Sequence, residues 1–384
     1  MKKYDYIIIG AGCAGLSLLM RLMDDPDFFA KKVLVIDKER KENNDRTWCF
    51  WERGKGYFES ILHRTWNDVV IKSVENSLTL AMDAYRYKMI RGIDFYQYCF
   101  KRLLSAGNID YRVEHVSDIS NNNGLVTITT AAGSLEVNAG FVFSSVFAKP
   151  DIIQNKYYLL QHFKGWVITT KSDTFTPSRA LLMDFSVDQK NYPAAFAYVL
   201  PLSATQALVE YTIFSEDVLA QEAYDSALEK YIRHNLNIEE YSVDHSEFGV
   251  IPMTNHQFPL YKNSVYYIGA AGGQTKPSTG YTFQFIQKQA AHLASVLTRG
   301  GNIKPVHALF SSRFYWYDSI LLNVLSTKKM KGSDVFMRLF QRVPASLIFK
   351  FLDNETSFLE ELKILRSMPA GKFLPAAIKE ITSF

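Results

Sequence analysis

The start of the chain reads YDYIIIGAGCAGLSLLMRL and sets three glycines at the spacing G-x-G-x-x-G, between an apolar run and an amphipathic one. We expect the first run to form a buried strand and the second a helix. In such a unit Gly10 permits the turn, Gly12 lets the backbone approach a pyrophosphate, and Gly15 lets helix and strand pack closely. Backbone N–H groups at the helix start, including that of Ala14, would bind the anion.

A second predicted strand, VLVID, ends at Asp37, which lies 22 residues after Gly15. A separation of about 20 residues is expected for the acid that binds a ribose hydroxyl. The two features together predict a dinucleotide-binding α/β unit. A fingerprint at this place, with a second glycine-rich segment much later, is typical of FAD proteins, so FAD is the predicted cofactor.

That second segment is VYYIGAAGGQTKPSTGYTF, residues 265–283. It reads as a strand, a glycine-rich loop and a helix that starts near Gly280 and Tyr281. We expect the loop to contact the flavin through Gly269, Ala271, Gly280 and Tyr281, with a helix N-terminus aimed at the ring. An ordinary surface loop remains the alternative.

Two arginines, Arg46 and Arg91, complete the predicted cofactor-binding set. Arg91 precedes the amphipathic run IDFYQYCFKRLL, where flavoenzymes of this kind often keep an arginine that contacts the cofactor. A surface salt bridge would explain Arg91 equally well.

Residues 156–255 contain short alternating apolar runs, which predict an antiparallel sheet that holds the substrate. In one of these runs, ALVEYTIF, Glu210 shares a strand face with Leu208 and Thr212, and Tyr211 faces the other way. If that face meets water, Glu210 is an ordinary surface residue. If it meets an apolar pocket, loss of hydration raises the pKa of the carboxyl and makes it a proton donor.

The predicted fold is α/β, with a discontinuous FAD-binding domain that has a parallel sheet (1–75, 88–155 and 256–300), an antiparallel-sheet substrate domain (76–87 and 156–255), and a helical C-terminal region (301–384). From residue 301 on there are 12 Lys and Arg against 7 Asp and Glu, compared with 31 against 32 before it. A basic, aromatic helical region is typical of a membrane-surface element. Helices packed on the flavin domain are the alternative. Ser357 and Glu360 have the spacing of a capping box that starts a helix.

Several classes of protein are disfavoured by the composition. The 3 cysteines lack metal-ligand spacing, which predicts a reducing, cytoplasmic setting and no metal site. No apolar run approaches the roughly 18 residues of a membrane span, and the start lacks the pattern of a cleavable signal. We therefore expect at most peripheral membrane contact. Nothing suggests nucleic-acid binding, and the oligomeric state is undetermined.

Three segments together resemble the lycopene β-cyclase family, particularly its bacterial branch. They are DRTWCFW (45–51), VLPLSATQALVEYT (199–212) and IGAAGGQTKPSTGYTF (268–283), and the C-terminal part is also similar. Glu210 falls on the family's first acidic residue, which is taken as the catalytic acid/base. Two positions depart from the family pattern: Tyr211 replaces a second acid, and Lys276 replaces a histidine before the proline. The first departure places the acid role on Glu210 alone.

The resemblance implies acid-initiated cyclisation of lycopene, or another linear carotene, with reduced FAD, NAD(P)H as the expected electron donor, and no net redox change. Such a site needs aromatic faces that stabilise a carbocation, and the candidates are Trp48, Phe50, Trp51 and Trp166. A flavin monooxygenase or prenyl reductase of the same architecture is the nearest alternative. Hydroxylases commonly carry Gly-Asp where this chain has Gly269-Ala270, which favours the cyclase. A non-catalytic flavin- or carotenoid-binding protein at the membrane surface is a third possibility.

Overall fold

A computed structural model describes residues 2–122, 125–148, 156–301, 303 and 312–382 of the chain. In this part of the chain the strands are β1 (Lys3–Ile9), β2 (Val33–Asp37), β3 (Thr47–Arg53), β4 (Arg64–Trp66), β5 (Asp68–Lys72), β6 (Ser77–Leu80), β7 (Tyr85–Arg91), β8 (Ile109–Val113), β9 (Val116–Asn122), β10 (Leu125–Thr130), β11 (Gly133–Ser144), β12 (Tyr158–Thr170), β13 (Arg179–Asp184), β14 (Ala194–Pro201), β15 (Gln206–Ser215), β16 (Tyr241–Thr254), β17 (Tyr261–Lys262) and β18 (Val265–Tyr267). The helices are α1 (Cys13–Leu22), α2 (Gly92–Ser105), α3 (Gln221–His234), α4 (Phe283–Thr298), α5 (Ser312–Ser326), α6 (Gly332–Arg342), α7 (Ala345–Leu352), α8 (Phe358–Ser367) and α9 (Ala370–Thr382).

The first sheet is built around β1, which pairs in parallel with β11 on one side and β2 on the other. Strands β8 and β18 extend the parallel arrangement outward, and β9, β10 and β17 add antiparallel pairs. Every residue of β2 is buried, as expected for a parallel strand covered on both faces. Helices α1 and α4 pack on one face of this sheet. The predicted α/β architecture is confirmed.

The close approach of α1 to β1 depends on two glycines. Gly10 has a φ of +98°, which L side chains rarely adopt. A Cβ at Gly15 would lie 2.0 Å from the carbonyl oxygen of Gly10, so no side chain fits there. This packing directs the start of α1 towards the carboxyl ends of β1 and β2.

The second sheet has the strand order β16-β12-β15-β14-β13-β5-β6. Neighbouring strands are antiparallel, apart from the parallel pair β13 and β5. Helix α3 covers one face with its apolar side. The other face packs partly against α5, α6 and α7. A small third sheet, in the order β3-β7-β4, completes the fold.

The second sheet begins earlier in the chain than the predicted domain boundary at residue 75. Strand β5 pairs with β13, and β6 pairs with β5, so this sheet already includes Asp68–Lys72. Within the predicted segment 76–87, residues 85–87 belong instead to β7 of the third sheet. Short strands such as β5 find their partners through long-range register, which local sequence does not encode.

The C-terminal region is helical, as predicted, in the residues that the structure describes; 302, 304–311 and 383–384 lie outside them. Phe336 of α6 and Phe349 of α7 join the core beneath the second sheet, so these helices are an integral part of the fold. The predicted capping box is confirmed: the backbone N and Oγ of Ser357 donate to Oε2 of Glu360 at 2.7 and 3.0 Å. No helix in the described residues is long and apolar enough to cross a bilayer.

Candidate functional site

A cavity of 680 Å³ lies at the carboxyl ends of β1 and β2, and its walls come from both large sheets. The dinucleotide-binding unit contributes Gly10, Gly12, Ala14 and Asp37, and the later glycine-rich loop contributes Gly269, Gly280 and Tyr281. The second sheet contributes Gln161, Phe163, Tyr198, Leu200, Leu208, Glu210 and Glu247. The fold therefore brings residues from distant parts of the sequence to one site.

The end of the cavity at α1 has the features of a dinucleotide site. Apart from its own chain neighbours and helix backbone, no described residue has an atom within 4 Å of a Cβ built on Gly12, so the backbone there is open to close approach. Asp37 ends β2, and its Oδ2 accepts a hydrogen bond of 2.6 Å from the backbone N of Ala11. This bond holds the acid beside the glycine turn, where a ribose would lie next to a pyrophosphate.

The glycine-rich loop is held against both sheets at positions where only glycine fits. Gly269 has a φ of +64°, and a Cβ there would lie 2.7 Å from the Cβ of Ala14. Gly280 has a φ of +71°, and a Cβ there would lie 2.5 Å from Oε1 of Gln161. Ala271 is buried within the short 3₁₀ turn that precedes the rest of the loop. Helix α4 begins at Phe283, slightly later than predicted, and its first residue lines the cavity.

The two arginines have different environments. Arg46 lines the cavity, and its side chain is largely exposed beside Asp45. Arg91 instead makes a bidentate salt bridge with Asp94, with Nε and Nη2 donating at 2.7 and 2.8 Å. Arg91 therefore forms the salt bridge that was the alternative to cofactor binding, and it is not part of the candidate site.

Two polar atoms in the cavity wall have no hydrogen-bond partner among the described residues. They are Oε1 of Gln161 and Oγ1 of Thr279, and both are buried. Buried polar groups normally have a partner, so these atoms indicate that a polar ligand belongs here. Together with the open backbone at Gly12 and the acid at Asp37, they fit a dinucleotide with a polar ring system such as FAD.

Glu210 lies in the cavity wall on β15, so the surface alternative is excluded. Its Oε1 accepts a hydrogen bond of 2.7 Å from Oγ1 of Thr212. Burial and the nearby carboxyl of Glu247 raise the pKa of Glu210 to about 8. A carboxyl with this pKa is largely protonated at neutral pH and can donate a proton.

The wall around Glu210 contains tyrosines that the sequence analysis did not single out. Tyr198 lies opposite Glu210 on β14, and the hydroxyl groups of Tyr87 and Tyr281 are 3.4 Å apart. Burial raises the pKa of Tyr198 and of Tyr87 well above the usual value, so both phenols stay neutral. The sequence could have pointed to Tyr198, because its hydroxyl is the one polar side-chain group in the otherwise apolar, buried strand AAFAYVLP.

The four predicted aromatic residues lie in four different environments. Trp48 lines the cavity. Phe50 stacks on Phe283 in the core of the first unit, and Trp51 packs against Tyr281 with ring centroids 4.2 Å apart. Trp166 lies in the core beneath α3, on the face of β12 opposite to the cavity, so its predicted place in the substrate pocket is corrected.

The two departures from the family pattern also have clear positions. Tyr211 packs in the core under α3, because successive residues of a strand face opposite sides. A second acid at position 211 would therefore point away from the cavity. Lys276 is buried, and its Nζ lies 3.0 Å from Oδ1 of Asp318 on α5 and donates to Oδ1 of Asn354 at 2.8 Å. These two contacts connect the glycine-rich loop to the C-terminal region.

A second carboxyl in the cavity wall, that of Glu247 on β16, was missed by the sequence analysis. Its Oε2 accepts a hydrogen bond of 2.7 Å from Oγ1 of Thr47. Burial raises the pKa of Glu247, while the hydrogen bond from Thr47 and the charge of Arg46 oppose that effect. Glu247 is 37 residues from Glu210 in sequence, and only strand register brings the two together.

Comparison with curated proteins finds carotenoid enzymes at low identity. The chain is 22% identical over 315 residues to a lycopene beta cyclase of Synechococcus elongatus, a match that covers 78% of this chain and 73% of the relative. It is 24% identical over 340 residues to a chromoplastic capsanthin/capsorubin synthase of Citrus sinensis, covering 79% of this chain and 63% of the relative. The match thus spans less than two thirds of the plant protein.

Solved structures with the same fold come from proteins with several different activities. A geranylgeranyl bacteriochlorophyll reductase-like protein from Thermoplasma acidophilum superposes with a TM-score of 0.67 at 14% identity, covering 100% of both chains. A halogenase variant in complex with FAD gives a TM-score of 0.59 at 12% identity, covering 99% of this chain and 86% of that one. At these identities the similarity establishes the fold alone.

The family assignment comes from the sequence pattern of the whole chain. Residues 5–377 match the family described as lycopene cyclase protein. The matched region includes the glycine fingerprint, Glu210 and the glycine-rich loop, which are the elements that form the cavity. This chain therefore belongs to the lycopene cyclase protein family.

Proposed function

We propose that this protein is a lycopene β-cyclase, which converts the linear ends of lycopene or a similar carotene into β-ionone rings. The observation that carries the proposal is Glu210, a carboxyl with a raised pKa in an apolar and aromatic cavity wall. A cyclisation without net redox change needs such a proton donor. An oxygen-inserting enzyme of the same fold has no requirement for it, and a reductase would use a proton donor only together with hydride transfer.

The side chains around Glu210 suit the chemistry of a carbocation. Glu210 would donate a proton to the terminal double bond of the carotene, and the neighbouring double bond would then close the six-membered ring. Leu200 and Leu208 make the wall dry, which protects the cation from water. The faces of Phe163 and Tyr198 are aromatic surfaces that can stabilise positive charge.

FAD is the proposed cofactor, held by Gly10, Gly12, Ala14 and Asp37 at one end and by the loop of Gly269 and Gly280 at the other. When bound in its reduced form, FAD would supply negative charge beside the developing cation. NAD(P)H is the proposed electron donor that keeps it reduced. Gln161 and Thr279 offer the partnerless polar atoms described above.

The direct test of the function is chromatography of the pigments from a lycopene-accumulating bacterial host that expresses the chain. We expect the linear carotene to decrease and γ-carotene or β-carotene to appear. Hydroxylated or hydrogenated products would instead identify a monooxygenase or a reductase. Unchanged pigments, with soluble and flavin-loaded protein, would contradict any activity on lycopene.

Gly12→Ala tests the cofactor site without disturbing the fold. We expect the purified native protein to carry one non-covalent FAD per chain. The added methyl group meets no protein atom, but it projects where the backbone must approach the pyrophosphate, so bound flavin should fall at least about tenfold. Flavin released on denaturation measures occupancy.

The matched control for that variant is Gly107→Ala. A Cβ on Gly107 also meets no atom within 4 Å, but this glycine lies between α2 and β8, away from the cavity. It should leave flavin content unchanged. Equal flavin in both variants would argue against the proposed pyrophosphate position.

We also propose peripheral membrane binding through an exposed apolar strip on α9, here called the α9 strip and formed by Leu374, Ile378 and Ile381. These side chains are 56–61% exposed. They recur at helical spacing, with the basic residues Lys372 and Lys379 on the same helix. Apolar residues next to basic ones fit an anionic lipid surface, where a membrane-dissolved carotene would be taken up.

Replacing the three residues of the α9 strip with Ser should weaken binding to phosphatidylglycerol-containing vesicles by at least about tenfold, because the apolar area that enters the bilayer is lost. Vesicle flotation measures the bound fraction. The control is Val74→Ser with Leu104→Ser, which removes exposed apolar side chains elsewhere. If both variants float like the native protein, the α9 strip does not contact the membrane.

A further inference from the structure

One row of residues crosses four neighbouring strands at the cavity wall. Tyr198 on β14 pairs with Glu210 on β15, Glu210 pairs with Gly165 on β12, and Gly165 pairs with Glu247 on β16. Residues paired in register on adjacent strands present their side chains to the same face of a sheet. Glu210 and Glu247 therefore stand on the same face, one on each side of Gly165, and both line the cavity.

The glycine between the two acids has no side chain, so the neighbouring side chains come close together above it. A Cβ on Gly165 would lie 3.3 Å from Cγ of Glu247 and 3.5 Å from Cβ of Glu210, and also 3.0 Å from Cδ1 of Leu208. The two acids are two strand spacings apart, so their Cα atoms are separated by about 9.6 Å. Both side chains line the same cavity, so a carotene end bound there can contact both carboxyls.

Burial raises the pKa of both carboxyls, but the charges beside them differ in sign. Glu210 has one hydroxyl donor, that of Thr212, and its burial beside a second carboxyl favours the protonated acid. Burial also raises the pKa of Glu247, but the hydroxyl of Thr47 donates to this carboxyl and the positive charge of Arg46 lies near it, and both oppose that rise. A pair of carboxyls separated in this way can divide acid and base roles.

We propose that Glu247 is the catalytic base of this site: it removes a proton from the closed ring while the carotene end lies in the cavity that both carboxyls line. The inference rests on the proposed cyclase function. Glu210 gives a proton to one carbon of the terminal double bond, and the cation forms at the other carbon. The electron pair of the next double bond forms the ring bond and moves the cation into the ring.

Glu247 then takes the proton from the ring carbon beside the cation, and the electron pair of that C–H bond becomes the ring double bond. One proton enters and one leaves, and no electron is gained or lost. Proton exchange with water returns Glu210 to its acid form and Glu247 to its carboxylate. The position of the base also determines which of the hydrogens next to the cation is lost, and hence which ring isomer forms.

The test is Glu247→Gln, compared with Glu210→Gln and native protein in D₂O, with flavin content measured for each. The amide keeps the hydrogen bond from Thr47 but cannot take the proton. We expect formation of the native ring isomer to fall by about 10²-fold. The cation should instead lose another proton, take up water or revert, giving isomeric rings, hydroxylated rings or deuterium in the recovered linear carotene. Glu210→Gln should show none of these products, because no cation forms.

Glu240→Gln is the matched control, since Glu240 directly precedes β16 and its side chain is exposed beside Lys171. It should behave as native protein. Glu247→Gln could instead yield only the native isomer and no deuterated linear carotene, whether its reaction is fast or slow. In that case Glu247 is not the base, even though the cyclase function stands. Native protein that forms no ring at all would overturn both proposals.

Discussion

Glu210→Gln should lower ring formation by at least about 10²-fold, the low end of the contribution of a general acid, while the protein folds and keeps its flavin. The amide has the size of the carboxyl and can still accept the hydrogen bond from Thr212. It cannot deliver a proton to the carotene. The measurement is loss of lycopene and gain of cyclic product under anaerobic reducing conditions.

The pH dependence of the native protein should show the same acid. Glu210 must be protonated to act, and its pKa is about 8, so activity should fall about tenfold per pH unit above that value. At lower pH, activity should fall again where Glu247, the proposed base, takes up a proton. The groups that face this carboxyl are Glu247, Cys49, Tyr198 and Tyr281. Burial raises the pKa of the thiol and of both phenols, so they remain neutral over this range.

Glu360→Gln is the control for the acid, because Glu360 is the capping residue of α8, where Lys350 and Ser357 hold its pKa at about 2. We expect near-native activity. If Glu210→Gln cyclises lycopene at the native rate with full flavin, the proton comes from another group, and the role assigned to Glu210 is wrong.

Lys276→Ala should be the most destabilising single change at the ends of the glycine-rich loop, at about 3–5 kcal/mol. Lys276 and Asp318 have side chains only 1% and 2% exposed, so the variant leaves a buried carboxyl without its cation. The backbone N of Lys276 donates to the carbonyl oxygen of Tyr281, and its own carbonyl accepts from the N of Gly280. Loss of the ion pair should therefore also lower flavin content. Urea and thermal unfolding measure the change.

Two comparisons separate this effect from simple loss of a side chain. The double variant Lys276→Met with Asp318→Leu removes both charges and should recover most of the stability, since apolar pairs often replace buried ion pairs well. Lys171→Ala breaks an exposed pair with Glu240 and should cost less than about 1 kcal/mol. If the double variant is as unstable as Lys276→Ala, the packing of the side chain matters more than its charge.

The sequence alone determined the dinucleotide-binding unit, because its signals are local. The turn at Gly10, the close packing at Gly15 and the acid at Asp37 each follow from a residue type at a set spacing. The capping box of Ser357 and Glu360 is also local, as it lies within a single helical turn. The resemblance to the lycopene cyclases directed attention to Glu210 and agrees with the family to which the chain belongs.

Only the tertiary structure decided which residues surround Glu210. Alternation along β15 could show that Glu210 and Tyr211 face opposite sides, but it could not show which side is the cavity. Trp166 illustrates the limit, since its aromatic character suits a pocket, yet the parity of β12 places it beneath α3.

Glu247 is the clearest case of information that local sequence lacks. Its place beside Glu210 depends on β12 pairing with both β15 and β16, with Gly165 opposite each acid. A shift of one residue in either register would turn one carboxyl to the other face of the sheet. Register is set by the summed packing of whole strands, so the paired acids exist only once the sheet has formed.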